Sequence, residues 1–195
     1  MNIGIDLDGV VFDTETMFRA SAHIYNLKIN GKDMVEPERL RFQDRYNWTD
    51  EQLNKYFNEN MLDIEKHAQV MPYAKQIIKA MSHNNKIFAI TNRGSVSKNE
   101  IEITKQRLTD EEIVFDKVIY SASNKLKVCQ ELKIDLMIDD LYDTIIQLAN
   151  NGVKCLYYRD VVLKHCDHPN VTEVRDWGDI CVELVKMGLI NLNNI

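Results

Sequence analysis

The chain has 195 residues, 45% of them hydrophobic, with a formal net charge of −6 and a pI near 5.4. That is enough apolar material for one good core with room for a modest insertion, and the acidic balance argues against a partner such as a nucleic-acid polymer, which is met by a basic stripe. No basic stretch leads into an apolar segment near the start, and no run approaches the roughly 18 apolar residues of a membrane span, so a soluble, cytoplasmic protein with no membrane partner is expected.

Asn2 to Ile5 is a short, mostly apolar run, too brief for a helix, that reads as a buried strand and leads directly into Asp6-Leu7-Asp8-Gly9-Val10. Helical spacing through Phe18, Ala22 and Tyr25 predicts a helix over Glu15 to Leu27, ending near Asn30-Gly31. Val35 to Trp48 contains Pro37 and has no clean period. Thr49-Asp50-Glu51-Gln52 then reads as a capping box that opens a helix running to about His67. Residues 14–72 are therefore expected to form a small helical cap inserted after the first strand, with residues 1–13 and 73–195 as the core.

From Pro72 onward, helical segments alternate with short apolar runs. The predicted order is helix Tyr73 to His83, strand Lys86 to Ile90, helix Lys98 to Leu108, strand Lys117 to Tyr120 and helix Asn124 to Leu132. It continues with strand Leu136 to Ile138, helix Tyr142 to Asn150 and strand Val153 to Tyr157. Val171 to Val174 makes a short further strand before a last helix, Asp176 to Met187, stopped by Gly188. This alternation is the signature of βαβ units and predicts an α/β fold, a Rossmann-like three-layer structure around a parallel sheet.

Cys129, Cys155, Cys166 and Cys181 are widely spaced with no CxxC pair, which suits reduced thiols. His165-Cys166-Asp167-His168 gathers four ligand-type side chains, but adjacent residues rarely converge on one ion and Pro169 follows, so a loop is expected there. His23, His67 and His83 fall in helical segments and carry no assigned role.

The polar residues of interest fall at strand ends. Asp6, Thr91 and Asp139-Asp140 each close a predicted strand, at the edge where parallel sheets bind ligands. An Asx turn explains Asp8-Gly9 well and Asp6 poorly. Gly9 would let the backbone turn tightly and approach a ligand closely.

Together, an initial DxDGV, a strand-ending Thr, a Lys at a helix start and a strand-ending Asp-Asp resemble the haloacid dehalogenase superfamily, mostly phosphatases working through an aspartyl phosphate. The resemblance runs from Asn2 to about Met187. Asp6 to Asp13, the Pro72-Tyr73-Ala74 helix start and Ile138-Asp139-Asp140 are most similar to the 5′(3′)-deoxyribonucleotidase branch and its uncharacterised bacterial relatives. The resemblance implies that Asp6 is the nucleophile, and a free aspartate, with a pKa of about 3.9, is ionised at neutral pH without a separate base. It implies a Mg²⁺ cofactor held by Asp6, the backbone carbonyl of Asp8 and an acid of the Asp139-Asp140 pair. Asp140 is the expected direct ligand and Asp139 acts behind it, and the two are open to exchange. Asp8 would be the general acid, Thr91 would offer its hydroxyl and backbone amide to phosphate beside Asn92, and Lys125 would stabilise the transferring group, with Lys127 as second choice. Arg93 would either reach the phosphate or seal the cap.

Thr14 stands where that branch carries an aromatic against the base, and Thr91-Asn92-Arg93 where it often reads Thr-Ser-Pro. Phe18, Phe42, Tyr46 and Trp48, with Arg41 or Arg45 nearby, would rebuild a stacking surface or else form the core of the insertion. The expected activity is a Mg²⁺-dependent phosphomonoesterase acting on a small phosphorylated metabolite. By resemblance it is a 5′-nucleotidase on (deoxy)nucleoside monophosphates. A sugar phosphate is the alternative substrate, and a catalytically silent phosphate- or metal-binding regulatory protein the alternative class.

Overall fold

A computed structural model describes residues 1–31, 42–159 and 164–195. These form one parallel sheet of β1 (Asn2–Ile5), β2 (Lys86–Ile90), β3 (Lys117–Ile119), β4 (Leu136–Asp139), β5 (Lys154–Tyr158) and β6 (Val171–Val174), in the order β3-β2-β1-β4-β5-β6. The helices are α1 (Thr14–Asn30), α2 (Asp50–His67), α3 (Ala74–Ser82), α4 (Lys98–Asp110), α5 (Lys125–Leu132), α6 (Tyr142–Asn150) and α7 (Trp177–Lys186), with 3₁₀ turns at Phe42–Arg45 and Leu192–Asn194. The α/β expectation holds, with element ends moved by a residue or two. The irregular stretch expected from Val35 falls partly outside the described residues, as does Arg41. No helix among the described residues is long and apolar enough to cross a membrane.

The sheet works because its strands alternate apolar side chains onto two faces. Ile3, Ile5, Ile87, Ala89, Leu136 and Ile138 join Ile77 and Met81 of α3 and Trp177 and Ile180 of α7 in one core. Phe88, Ile90, Met137, Cys155 and Tyr157 join Cys129 of α5 and Ile145 and Leu148 of α6 in the other. All four cysteines are free, and burial pushes the Cys129 and Cys155 thiols up to about 12, so they behave as core side chains.

The first strand lies in the middle of the sheet. Ile5 pairs with Ala89 on one side and Ile138 on the other. The chain lays β2 and β3 to one side of β1, then crosses back to place β4 against its other edge. The strand order reverses between β1 and β4, and the crevice at such a switch point is where open α/β sheets take ligands. Asp6, Asp139 and Asp140 are the residues that the sheet delivers there.

The helical insertion has its own small core: Ala22, Tyr25, Tyr46 and Tyr56 are buried with Phe18, Trp48 and Phe57 packed around them. Tyr46 and Trp48 stack with ring centroids 4.4 Å apart, and the Trp48 indole N–H donates to Asn26 Oδ1 at 2.8 Å. Of the aromatics considered for base stacking, Phe18, Tyr46 and Trp48 are thus core of the insertion, and the Phe42 side chain lies outside what is described. Arg45 is buried on Glu15. The expected capping box is present at Thr49 and Gln52. The two linkers to the insertion pair with each other: Asp13 N–H donates to the Gln69 carbonyl and Met71 N–H to the Val11 carbonyl, both at 2.8 Å, around an antiparallel bridge between Phe12 and Val70.

Candidate active site

Asp6 follows the last residue of β1 and is held there by backbone and side chain together. Its N–H donates to the Ile138 carbonyl at 2.9 Å, and its Oδ1 accepts the Leu7 N–H at 2.8 Å. Oδ2 is left for Lys125, whose Nζ lies 2.9 Å away. The same ammonium lies 2.6 Å from Asp139 Oδ2, while Asp139 Oδ1 accepts the Leu141 N–H at 2.9 Å. Lys125 opens α5, where Asn124 caps the helix by accepting the Lys127 N–H at 3.0 Å. Lys127 itself points to solvent and pairs loosely with Glu131. The structure therefore brings Lys125, and not Lys127, onto Asp6.

Asp139 and Asp140 part company on hydrogen bonding. Asp139 ends β4 fully buried with both oxygens engaged, whereas Asp140 makes no hydrogen bond or ion pair among the described residues. Gly9 packs against Asp140: at φ +72° it is left-handed, and a Cβ there would come within 2.3 Å of Asp140 Oδ2. Beneath this turn, Thr14 Oγ1 accepts the Gly9 N–H at 3.1 Å, and the Trp177 indole N–H donates to the Val10 carbonyl at 2.8 Å. Thr14 is thus turned inward to brace the loop.

Asp6, Asp139 and Asp140 each offer an oxygen within 4.8 Å of the others. Against one ammonium these three carboxylates, when all are ionised, leave two negative charges. Burial pushes Asp6 up to about 7, with Asp139 and Asp8 adding to the rise and Lys125 opposing it. Its ionisation at neutral pH therefore needs help from neighbouring positive charge, which the free-aspartate value did not anticipate. Burial, then Asp139 and Asp6, hold Asp140 well above the usual carboxylate range. Burial alone would lower Lys125, but Asp139 and Asp6 keep its ammonium above the ordinary lysine range. A hard divalent cation fits this donor set: the donors are all oxygen, one carboxylate is unpartnered, and the uncompensated charge is two.

Asp8 lies one turn of chain beyond Asp6 and is gripped by Arg93. The guanidinium Nε lies 3.1 and 3.0 Å from the two carboxylate oxygens, and Nη2 2.6 Å from Oδ1. Arg93 is fully buried, with Nη1 donating to Thr104 Oγ1 at 3.2 Å and its plane 5.1 Å over the Phe12 ring. Burial would lower its pKa, and Asp8, followed by Glu65 and Asp6, together more than offset this. Thr91 is buried at the end of β2. Its amide is consumed by the sheet, donating to the Ile119 carbonyl at 3.0 Å, so the expected amide donor at this position is not Thr91. Its hydroxyl accepts the Arg93 N–H at 3.2 Å, and the next residue, Asn92, is exposed with an amide that no described acceptor takes.

Two buried carboxylates escaped the sequence reading. Glu100 of α4 accepts the Gly94 N–H and so braces the turn after Arg93. Glu65 of α2 is fully buried, neither of its oxygens has a hydrogen-bond partner, and Oε1 lies 3.9 Å from Arg93 Nε. Burial lifts it to about 8 despite the opposing pull of Arg93. Neither had a sequence signal, because each sits in a helix rich in charged residues. Among the described residues the His165-Cys166-Asp167-His168 stretch forms no ligand cluster; His165 and the Cys166 amide are tied to Glu173 instead.

No family model matches the chain. It is 23% identical over 181 residues to a nucleotidase of Clostridium acetobutylicum, covering 92% of this chain and 91% of that one. It is 23% identical over 198 residues to YqfW of Bacillus subtilis, spanning the whole of both. A haloacid dehalogenase-like hydrolase of Streptococcus pneumoniae superposes with a TM-score of 0.68 at 14% identity, covering 93% of this chain and 97% of its own. With a parallel sheet whose central strand runs directly into Asp6 and whose neighbour ends in Asp139, this chain has the fold of the haloacid dehalogenase superfamily and resembles its nucleotidase relatives.

Proposed function

We propose that the chain is a Mg²⁺-dependent phosphomonoesterase that works through a phosphoryl group carried on Asp6, with (deoxy)nucleoside monophosphates as the substrates to try first. The observation that carries this reading is the Asp6-Asp139-Asp140 cluster at the switch point of the sheet, bridged by one buried lysine. Asp6, Asp140 and the Asp8 carbonyl would hold the ion, with Asp139 fixing Lys125 behind them. When bound, Mg²⁺ would supply the charge neutralisation that lets a carboxylate meet a phosphate dianion.

The chain's own residues account for the rest. Asp6 Oδ1 is spent on the Leu7 amide, so Oδ2 is the oxygen that attacks phosphorus. Lys125 orients that oxygen and faces the charge growing on the transferring group, an electrostatic contribution made by a group already fixed before reaction. The Thr91 hydroxyl and the Asn92 amide would bind phosphate oxygens. Asp8 would protonate the leaving oxygen and then take a proton from the water that cleaves the acyl phosphate. Arg93, bound to Asp8, belongs to the acid rather than to the phosphate. The nucleotide preference draws on the name of the Clostridium relative; Phe18, Tyr46 and Trp48 are spent on the insertion's own core, so they do not argue for a base.

Phosphate release from a panel of nucleoside, deoxynucleoside and sugar phosphates, with and without Mg²⁺, tests this. The expected result is metal-dependent turnover that falls on the order of 10³-fold or more in Asp6→Asn. Turnover that survives this substitution would remove the proposal, and a best substrate among the sugar phosphates would remove its nucleotide part.

A further inference from the structure

We infer that Arg93 is a two-position latch on Asp8, and that Glu65 of the insertion is its second position. The inference rests on the phosphatase reading of Asp8 given above. In the arrangement seen here the guanidinium fork takes both Asp8 oxygens. A carboxylate held in that way is an acceptor turned toward arginine, whereas a group that serves the leaving oxygen has to face the substrate. Asp8 must leave the fork to act, and a buried guanidinium that loses its carboxylate needs another.

Glu65 meets that need. Both of its oxygens are buried without a hydrogen bond, an arrangement that costs free energy unless a partner arrives. Oε1 is 3.9 Å from Arg93 Nε, less than an ångström beyond hydrogen-bond reach. The rest of the arginine is built to turn: Nη1 is tethered to Thr104, whose own hydroxyl donates to the Glu100 carbonyl at 2.7 Å, and the flat face rests on Phe12. Glu65 sits in the last turn of α2, and Arg107 of α4 holds the Ala68 carbonyl just beyond at 2.7 Å. The distance from Glu65 to Arg93 is therefore set by how the insertion seats on the core, so a shift of less than an ångström in that seating decides which carboxylate Arg93 holds. Glu65 is a positioning residue, acting on Asp8 through Arg93.

Leaving-group acidity separates this role from a structural one, because an aryl phosphate such as para-nitrophenyl phosphate expels its leaving group without a proton and an alkyl phosphate does not. Wild type, Glu65→Gln, Glu65→Ala and the pair Glu65→Gln/Arg93→Lys are compared on para-nitrophenyl phosphate and on the best alkyl phosphate of the panel, with thermal unfolding confirming that each variant is folded. Both Glu65 variants are expected to lose about tenfold in kcat/KM on the alkyl phosphate and to stay within about threefold on the aryl one, since kcat/KM reports expulsion of the leaving group and not the later cleavage of the acyl phosphate that both substrates share. Lysine replaces the fork with a single contact, so the pair should recover part of the alkyl rate. An equal fall on both substrates, or no fall on either, overturns the latch and leaves the phosphatase reading standing. A wild type that hydrolyses no alkyl phosphate removes that reading, and the latch with it.

Discussion

Burial raises the proton affinity of Asp6 and Glu65 alike, but only Asp6 has a lysine within hydrogen-bond distance. The difference should be visible in stability. Glu65 holds its proton to about 8 in the folded chain against 4.5 ordinarily, so the folded state binds a proton that the unfolded chain releases. Stability is therefore full below about 4.5, falls as pH rises, and levels off above about 8, with a total loss of roughly 5 kcal/mol. Glu65→Gln removes the titration. In metal-free protein it should melt within a degree or two of wild type at pH 5 and about 5 °C or more above it at pH 9, read by thermal unfolding. A variant that melts below wild type at pH 9 would mean that Arg93 outweighs burial at this site. The same comparison explains what could be read from residues alone. Asp6 announced itself by standing at the end of an apolar strand, whereas Glu65, between Asp63, Lys66 and His67, looks like any solvated helix end until α4 is packed on it.

Among the elements, the turn from Asp6 to Phe12 does the most with the fewest residues. Gly9 N–H meets both the Phe12 carbonyl and Thr14 Oγ1, and Gly9 presents a bare backbone to Asp140. Gly9→Ala would force a methyl group into the Asp140 carboxylate while holding an L-residue at φ +72°. It should cost about 1–2 kcal/mol in stability and lower phosphate release by more than about tenfold, as measured by denaturant unfolding and by the panel assay. Full activity in Gly9→Ala would show that Asp140 has room to move. The strands and helices around this turn were legible because buried parallel strands leave unbroken apolar runs and Thr49-Gln52 writes its capping box in four letters. That Asp139 closes β4 while Asp140 lies beyond it was not legible, since two identical residues are told apart only by Lys125 and the Leu141 amide.

Across the whole molecule, two uncompensated charges at the sheet's switch point set function against stability. Asp140→Asn should raise the metal-free melting temperature by a few degrees at pH 8, because burial, Asp139 and Asp6 make the folded chain hold a proton there that the unfolded chain releases above the ordinary carboxylate range, and the amide has no such pH-dependent loss. Mg²⁺ at about a hundred times its Kd should stabilise the wild type by about 2.7 kcal/mol and leave Asp140→Asn unmoved. Calorimetry with and without the ion reads both effects, and an equal Mg²⁺ shift in the two proteins would transfer the ligand role to Asp139. The alternation of helices and strands predicted a parallel sheet, but strand order belongs to the crossovers, which no local pattern encodes. That order also bears on how the molecule comes into being. Asn2 docks its amide on Asp135, 133 residues away, and β1 has no second neighbour until β4 exists. A ribosome must release everything from β1 to β4 before the middle of the sheet can close, so the nascent protein carries its first strand with one edge uncovered, and the acidic cluster can assemble only once β4 has emerged.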